Sequence, residues 1–400
     1  MDENMRTWSW LKEFRRGFGV DLEWSLTDDD LLKDRTPAFK VGIRQERRTR
    51  SFDVEAWYTT PTFRPQSRAL AVLPPDSIFN PENYNEISDP RRGFGWEFEQ
   101  DNFNNGTYEA RHDLKAWYGM ADLPFSLIQE DFRLVGGIRV EDSDQLVEAL
   151  RSKTLTDAQD TAQVDVKDVL PSVNLAWFYD EKTNVRLGYY ESVNRPEFRE
   201  LAPVLRRNFR TFQNELGNPD LKRARIQNYD LRAEHFPGYG EVLAGSVFYK
   251  KIADAIEDTL YMAPERAVAS FSNAPEAKNW GFELELRKRL DWFTLTEDMT
   301  VSFNYTRVWS EVEYYDPLTK TTGLRTLQGQ APWSVNGSLE YNNPNLKLAV
   351  NLLYNKVGRQ LDKIADFTFL YVYQEPRDKL DLVVTKGLGR VLKVKAAVKD

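Results

Sequence analysis

The sequence predicts an all-β fold in which long antiparallel strands form a transmembrane barrel. Three observations predict it: apolar and polar residues alternate along most of the chain, long and short connections follow one another in turn, and no segment keeps a helical period between capping residues. Residues 228–234, NYDLRAE, show the alternation, because every second side chain is apolar and those between are polar or charged. This is the period of a β-strand with one apolar and one polar face.

Similar alternation recurs in about sixteen segments, many of about ten residues or longer, whereas strands of globular proteins usually have about five or six. Clear examples lie at 39–46, 132–141, 184–193, 281–290, 300–309, 346–358 and 392–398. The segment DQLVEALRSK at 144–153 departs from this pattern and is the best helix candidate in the chain. We predict a short loop helix there.

The predicted connections alternate in length. Long ones lie at 59–106, 143–163, 194–223, 253–277, 313–329 and 359–376, and short ones at 124–130, 180–183, 237–240, 291–297, 342–345 and 387–390. In an antiparallel meander every second connection emerges at the same end, so all the long loops are expected on one side. Bacterial outer-membrane barrels have this arrangement, with short periplasmic turns and long extracellular loops. Aromatic residues near predicted strand ends also suit the girdles of such barrels: Trp57, Tyr58, Trp177, Tyr189, Trp280, Trp309 and Trp333.

The orientation of the two strand faces follows from the cost of charge in lipid. An Arg or Lys on the lipid side at mid-membrane costs roughly 2–4 kcal/mol. We therefore expect Phe282, Leu284 and Leu286 to face lipid, and Glu283 and Glu285 to line the lumen. Periodicity alone leaves an alternative open, in which a water-soluble sheet carries the charged residues on its solvated surface.

Composition excludes several other classes. The 62 acidic and 54 basic residues give a net charge of −8, which argues against a protein bound to nucleic acid through phosphate contacts. There is no cysteine, so disulfides, zinc ribbons and thiol nucleophiles are excluded. His112 and His235 lie far apart and are expected to be ordinary strand residues, so neither a metal site nor a cofactor is predicted. No G-x-S-x-G, H-E-x-x-H or phosphate-binding glycine loop occurs, so no catalytic residue is predicted and we do not expect an enzyme.

Several motifs carry a resemblance to a known family. SVNRPEFRELAP at 192–203, followed by GNPDLKRARIQNYDLRAEHFPGYGEVLAGSVFYKKIADAIE at 217–257, resembles the barrel of TonB-dependent outer-membrane receptors. Further segments are similar in the same order: LPSVNLAW (170–177), NWGFELELRK (279–288), LQGQAP (327–332), EPRDKLDLVVTK (375–386) and KAAVKD (395–400). LPPDSIFNPENY at 73–84 is similar to a long outer loop of Bacteroidetes-type members. Arg223 departs from the family pattern, which often has proline there.

The resemblance implies a fold and a mechanism. Residues 1–400 would form part of a large outer-membrane transporter barrel, with the plug domain and the last strand outside this sequence. The strand directions also predict an N- and C-terminally truncated chain. With the long loops outside the cell, both ends of this sequence would lie outside too, whereas a barrel inserted from the periplasm is expected to begin and end there. In the family, ligand binds at the outer loops, and the TonB complex acts on the plug to admit it. The expected location is the outer membrane of a Gram-negative bacterium, with membrane lipid as a partner.

The candidate ligand-binding residues lie in two long loops. The basic cluster RRNFR supplies Arg206, Arg207 and Arg210, which suit an anionic ligand such as a ferric chelate. Tyr84, Phe94 and Trp96 in the longest loop are suited to stacking on a sugar or an aromatic chelator. The alternative for both sets is ordinary loop structure: solvated charges and aromatics that pack the loop against itself.

Two functional classes follow. The first is an active receptor for a scarce nutrient, namely a ferric siderophore, haem, cobalamin or a glycan, driven through TonB. The alternative is a passive porin of about sixteen strands. A third class, a water-soluble β-rich enzyme, would be extracted into buffer without detergent.

Overall fold

The computed structural model describes residues 4–26, 36–61, 74, 77, 96–100, 106–149, 161–208, 213–262, 267–291, 297–316, 321–365, 371–389 and 391–400. The elements that lie wholly within these residues are twenty strands and one helix of four residues. In chain order the elements are β1 Asn4–Ser25, β2 Ala38–Pro61, β3 Trp96–Gln100, β4 Tyr108–Leu127, β5 Glu130–Ala149, β6 Thr161–Phe178, β7 Thr183–Asn194, α1 Phe198–Leu201, β8 Leu205–Asn208, β9 Gln213–Leu216, β10 Ala224–His235, β11 Val242–Met262, β12 Ala267–Arg289, β13 Met299–Asp316, β14 Thr321–Arg325, β15 Trp333–Asn343, β16 Leu348–Val357, β17 Gln360–Ala365, β18 Val372–Gln374, β19 Arg377–Leu388 and β20 Leu392–Val398.

The long strands form one antiparallel meander, which we call the wall. Its order is β1-β2-β4-β5-β6-β7-β10-β11-β12-β13-β15-β16-β19-β20, and each strand pairs with the next. The remaining six strands, β3, β8, β9, β14, β17 and β18, are short and lie within the connections. The predicted all-β antiparallel class is confirmed. The predicted count of about sixteen falls between the wall strands alone and all strands together.

From β2 onward the connections alternate in length as predicted, except that only residues 263–266 join β11 to β12. Tight connections such as Ile128–Gln129 and residues 344–347 join the wall strands at one end, and the long connections, including 62–107, 195–223 and 358–376, join them at the other. One predicted long loop is mostly strand, because β11 and β12 continue to Met262 and Ala267.

The predicted loop helix at 144–153 is wrong for its first six residues. Asp144–Ala149 continue β5, where all six residues pair with β4 and Asp144–Glu148 also pair with β6, and residues 150–153 lie outside the described part of the chain. Gln145, Val147 and Ala149 are buried on one face of β5. Hydrogen bonds to two neighbouring strands and this burial outweigh the local helical period.

One face of the wall is apolar and exposed. Leu231 of β10 lies between Leu187 of β7 and Val247 of β11, and 45–55% of each side chain's residue surface is exposed. Leu284 and Leu286 of β12 belong to the same face and are 48% and 38% exposed, as predicted for lipid-facing residues. In the described residues no second layer covers this face, which argues against the water-soluble alternative.

Aromatic residues form clusters on the apolar face, one within β7, β10 and β11 and one near the tight turns. The ring centroids of Tyr189 and Tyr229 are 5.0 Å apart, and those of Tyr229 and Tyr249 are 6.2 Å apart. Near the tight turns, Phe132 stacks between Phe125 and Trp177 with centroid distances of 5.4 and 6.3 Å. Such clusters are typical of the interfacial girdles of outer-membrane barrels. No helix in the described residues has the length and apolarity needed to cross a membrane.

The other face carries the charged residues, which pair across strands. Arg232 of β10 donates to Glu234 and reaches over β11 to Glu285 of β12, at 2.6 Å. Near the tight turns, Arg133 binds Asp122 through two hydrogen bonds of 2.7 and 2.8 Å. The register of the wall places these side chains on the face opposite Leu231 and Leu284.

Candidate ligand-binding site in the outer loops

The connection between β7 and β10, residues 195–223, builds the centre of the candidate site, and we call it the crossbeam. Its described residues are 195–208 and 213–223. The motif RPEFREL starts it, because Pro196 ends the strand and Glu197 caps α1. Glu197 and Glu200 form a reciprocal capping box, in which the Glu197 backbone N–H donates to Glu200 at 2.9 Å.

The crossbeam packs against two separate parts of the wall's charged face. Its apolar residues Phe198, Leu201, Ala202, Val204 and Leu221 are almost fully buried in one cluster with residues of β4, β5, β6 and β12: Tyr108, Ala110, Val147, Ala149, Ala162, Val164 and Phe271. In the wall, β7, β10 and β11 separate β6 from β12. Phe198 of α1 also contacts Arg48 of β2, and the next residue, Arg199, contacts Phe271 of β12, although six wall strands separate β2 from β12. Two adjacent residues can reach both strands only if the wall curves around them, so the charged face is the concave inner face and the crossbeam lies across the lumen.

Arginine side chains of β2 hold the helix of the crossbeam. The guanidinium carbons of Arg48 and Arg50 lie 4.8 and 5.2 Å from the centroid of the Phe198 ring, an arrangement that gives cation–π attraction. Both arginines also bind the carboxylate of Glu13 on β1, at 3.0 and 2.6 Å. Arg48 further contacts Glu197 at 3.4 Å.

The hairpin β8–β9 carries two of the predicted ligand-binding arginines. Arg206 binds Glu215 of the opposite strand, and its Nε donates at 3.0 Å. Burial alone would raise the pKa of Glu215, but hydrogen bonds from Asn208 and Arg206 outweigh it and lower the pKa below its ordinary value. The charge of Arg206 is therefore already matched within the hairpin. Arg207 lies in β8 opposite Asn214.

The other predicted site residues are placed less completely. Trp96 begins β3, where its backbone lies opposite Pro61 of β2. Tyr84, Phe94 and Arg210 lie outside the described residues. The two predicted ligand loops do meet, because a Cβ on Gly106, at the end of the longest loop, would lie 3.4 Å from Cβ of Arg206. The ligand-binding role of all six residues stays a prediction.

The outer part of the β11–β12 hairpin gathers three connections. Val268 and Ala269 of β12 pair in parallel with β9 of the crossbeam, and Thr259 and Leu260 of β11 pair in parallel with β17. The third connection follows β14. The guanidinium of Arg325 forks onto the carboxylate of Glu257, which is only 2% exposed, with bonds of 2.9 and 2.5 Å.

The motif LQGQAP fastens that third connection by imitating a strand. The side-chain amide of Gln328 accepts from the backbone N–H of Asp258 at 2.6 Å and donates to the Asp258 carbonyl at 3.1 Å. This is the pair of bonds that a neighbouring strand would supply. The described parts of these three connections are therefore all joined to the outer part of the β11–β12 hairpin.

Sequence reasoning missed one candidate ligand residue. Arg199 of α1 is exposed, and its guanidinium carbon lies 6.0 Å from the centroid of the Phe271 ring. The position lies inside the RPEFREL motif, which carried the family resemblance but gave no sign that this side chain is exposed at the edge of the buried cluster.

The histidines lie in strands, where each hydrogen-bonds to a hydroxyl group. His112 Nε2 is 2.9 Å from Ser143 Oγ, and His235 Nδ1 is 3.0 Å from Thr183 Oγ1. Within the described ranges no group of three or more His, Asp or Glu side chains is arranged to hold a metal ion.

Comparison with known proteins gives the family. The model of the family described as TonB dependent receptor-like, beta-barrel, matches residues 2–387. No curated protein sequence matches the chain. Among solved structures, the siderophore receptor PiuA from Acinetobacter baumannii is similar with a TM-score of 0.62, at 10% identity over 97% of this chain and 52% of that protein. The copper transporter OprC is similar with a TM-score of 0.59, at 16% identity over 97% of this chain and 51% of that protein.

These likenesses show the fold, and the chain spans about half the length of the two proteins. A third, the ferric enterobactin receptor PfeA from Pseudomonas aeruginosa, is covered to 64% of its length, with a TM-score of 0.46 at 16% identity. The family and its fold are those of transport receptors of the Gram-negative outer membrane, not of enzymes. The chain belongs to the TonB-dependent receptor β-barrel family.

Proposed function

We propose that the chain forms the barrel of an active transporter that takes up a scarce nutrient across the outer membrane, with energy delivered through TonB. The observation that carries the proposal is the family match over residues 2–387, on a wall with an apolar outer face and a charged inner face. A plug domain, which the family implies, would connect this barrel to the TonB complex. We also propose that residues 73–84 belong to a long outer loop like that of Bacteroidetes-type members of the family.

Among the four ligand classes, an anionic metal chelate such as a ferric siderophore fits the charges of the crossbeam best. Its sequence contains seven basic and four acidic residues, of which Arg195 and Arg223 are already paired with wall carboxylates and Arg206 with Glu215. Arg199 presents an exposed guanidinium there, and Arg207 and Arg210 add further positive charge to the loop. Planar guanidinium groups bind carboxylate and other oxyanions in two-point fashion, whereas a neutral glycan gains little from them.

The aromatic residues Tyr84, Phe94 and Trp96 complete the proposed binding surface. Their loop is acidic, with four basic and seven acidic residues at 62–107, so the aromatic rings are its main contribution to an anionic ligand. Planar chelating groups stack on such rings. The contact between Gly106 and Arg206 supports a surface shared by both loops.

Energy-dependent uptake tests the proposal. The native bacterium and a strain lacking this gene are each given a ferric siderophore, haem, cobalamin or a glycan, with and without a tonB deletion and with and without a protonophore. We expect one ligand, a ferric chelate, to be taken up only with the gene, TonB and an energised membrane. The passive alternative predicts uptake that survives both the tonB deletion and the protonophore, and that result would reject active transport. Uptake of a glycan in place of the chelate would reject the ligand class alone.

A further inference from the structure

Both ends of the crossbeam meet at one buried carboxylate on the wall. Arg195, the first residue of the crossbeam, binds Oδ2 of Asp168 at 3.0 Å, and Arg223, the last residue, binds Oδ1 at 2.5 Å. The side chain of Asp168 is fully buried. Arg195 also binds Glu141 of β5 at 2.8 Å. We call this group of Arg195, Arg223, Asp168 and Glu141 the clamp, and it involves two wall strands, β5 and β6.

The last part of the crossbeam, residues 216–222, is fixed to β12, which β7, β10 and β11 separate from the strand of Asp168. The amide of Asn273 on β12 accepts from the Lys222 backbone N–H at 2.8 Å and donates to its carbonyl at 3.0 Å. The side chain of Asn218 donates to the Phe271 carbonyl at 2.9 Å. Ser270 donates to the Leu216 carbonyl at 2.8 Å. These bonds engage backbone groups, which leaves the crossbeam little freedom to slide along β12.

The crossbeam is also tied to itself. The backbone N–H of Asn218 donates to the Glu200 carbonyl at 2.6 Å, so the GNP turn is hydrogen-bonded to the end of α1. On the wall side, buried Gln145 donates to the Pro196 carbonyl at 3.0 Å. Polar bonds therefore hold the crossbeam at its start, its turn and its end, and the buried apolar cluster fills the space between them.

We propose that the crossbeam is a fixed part of the passage and that Asp168 is the positioning residue that keeps it so. The crossbeam then holds Arg199 and the β8–β9 hairpin at a constant place over the lumen, and ligand meets a preformed surface instead of a closing lid. Arg223, which departs from the family pattern, supplies the second of the two arginines that bind Asp168. The ligand-holding part of this inference rests on the proposed function, whereas the fixed position of the crossbeam does not.

Distance measurements between two spin labels test the position directly. Residues 1–400 contain no cysteine, so Asp220→Cys in the exposed turn of the crossbeam and Glu181→Cys in the tight β6–β7 turn give one labelled pair here, with any cysteine elsewhere in the receptor replaced by serine. The receptor is expressed at full length and measured in native outer-membrane vesicles without added ligand. We expect a single narrow distance distribution, and a distribution about twofold wider in the Asp168→Asn variant, because the clamp no longer restricts local opening.

A matched variant separates the clamp from general damage to the wall. Asp122→Asn removes a carboxylate that also binds an arginine on the inner face, but the crossbeam does not touch it. Its distribution is expected to stay as narrow as that of the unsubstituted receptor. Should Asp168→Asn fail to insert, Arg223→Gln takes its place and is expected to widen the distribution, with Arg223→Lys restoring it.

Two results would overturn the inference: a broad or two-peaked distribution in the unsubstituted receptor, or equal widths in the Asp168→Asn and Asp122→Asn variants. Neither result depends on transport. A receptor that takes up no ligand through TonB but keeps a narrow distribution rejects the proposed function and leaves the fixed crossbeam standing. A receptor that takes up its ligand through TonB but has a broad distribution rejects only the fixed position of the crossbeam.

Discussion

A Cβ atom on Gly217 would lie 2.1 Å from the carbonyl oxygen of Ala202, well inside any real contact. The two residues lie on opposite limbs of the crossbeam, and their approach allows Asn218 to bond to Glu200. The GNP motif thus has a steric reason: only glycine lets the turn close onto the end of α1.

Gly217→Ala is therefore expected to open the crossbeam while the wall stays folded. Overpacking of this kind costs about 1–3 kcal/mol. Hydrogen exchange should show faster exchange at residues 196–222 and unchanged exchange in β10 to β13. Gly337→Ala in β15 is the control, since a Cβ there meets nothing within 4 Å. Equal exchange in the two variants would show that the close approach does not exist.

Leu284→Arg tests which face of the wall meets lipid. An arginine on the lipid side at mid-membrane is expected to destabilise the barrel by roughly 2–4 kcal/mol. The matched variant Glu283→Arg places the same side chain at the adjacent position, which faces the lumen, and is expected to cost less. Urea titration of folding into lipid vesicles measures both. A larger loss for Glu283→Arg would reverse the assignment of the faces.

Arg325→Met tests the attachment of the third connection to β11. The substitution removes both hydrogen bonds of the Arg325 guanidinium to the buried carboxylate of Glu257. Leaving a buried charge unpaired in this way typically lowers stability by about 3–5 kcal/mol. Hydrogen exchange at 321–332 should accelerate accordingly. Arg359→Met is the comparison, because Arg359 pairs with Glu375 at 2.8 Å and both side chains are more than half exposed. Exposed pairs contribute about 0–1 kcal/mol, so its exchange should barely change.

Glu200→Gln tests the pH dependence of the crossbeam. Burial raises the pKa of Glu200 above its ordinary value of 4.5, so the folded state binds this proton more tightly than the unfolded state. The protonated Glu200 carboxyl therefore stabilises the folded state fully at pH values below the pKa that Glu200 has in the unfolded chain. This contribution is lost as pH rises through the pKa that Glu200 has in the folded state. Glutamine keeps the cap on α1 without a charge. We therefore expect the variant to protect residues 196–204 from exchange better at pH 7 and to have a flatter pH profile. Protection that falls in the variant at pH 7 would contradict this.

Local pattern predicted most of the wall because each strand obeys the same rule. Tyr229, Leu231 and Ala233 alternate with charged or polar residues whether or not the neighbouring strands are known, and the charge cost in lipid then orients both faces. The segment 144–149 shows the limit of this reasoning. Its spacing suits a helix, but pairing with β4 and β6 decides for a strand, and pairing partners are not visible in a local window.

The candidate site was predicted in part. The motifs RPEFREL and GNPDL located the crossbeam, yet the sequence offered no reason to connect Arg195 and Arg223 with Asp168, which lies 27 and 55 residues away. Arg206 looked available for ligand in the sequence, and the structure pairs it with Glu215. Such pairings depend on distances across the lumen, and periodicity carries no information about them.

The sequence by itself determined the β class, the alternation of long and short loops, and the division of each strand into an apolar and a charged face. The first two follow from residue spacing, and the cost of charge in hydrocarbon assigns the apolar face to lipid. Only the tertiary structure decided that the charged side is concave and that 195–223 crosses it, because that conclusion depends on contacts from the adjacent residues Phe198 and Arg199 to β2 and β12. It also decided which of the many arginines are held by carboxylates and which, like Arg199, remain exposed at the ring of a buried phenylalanine.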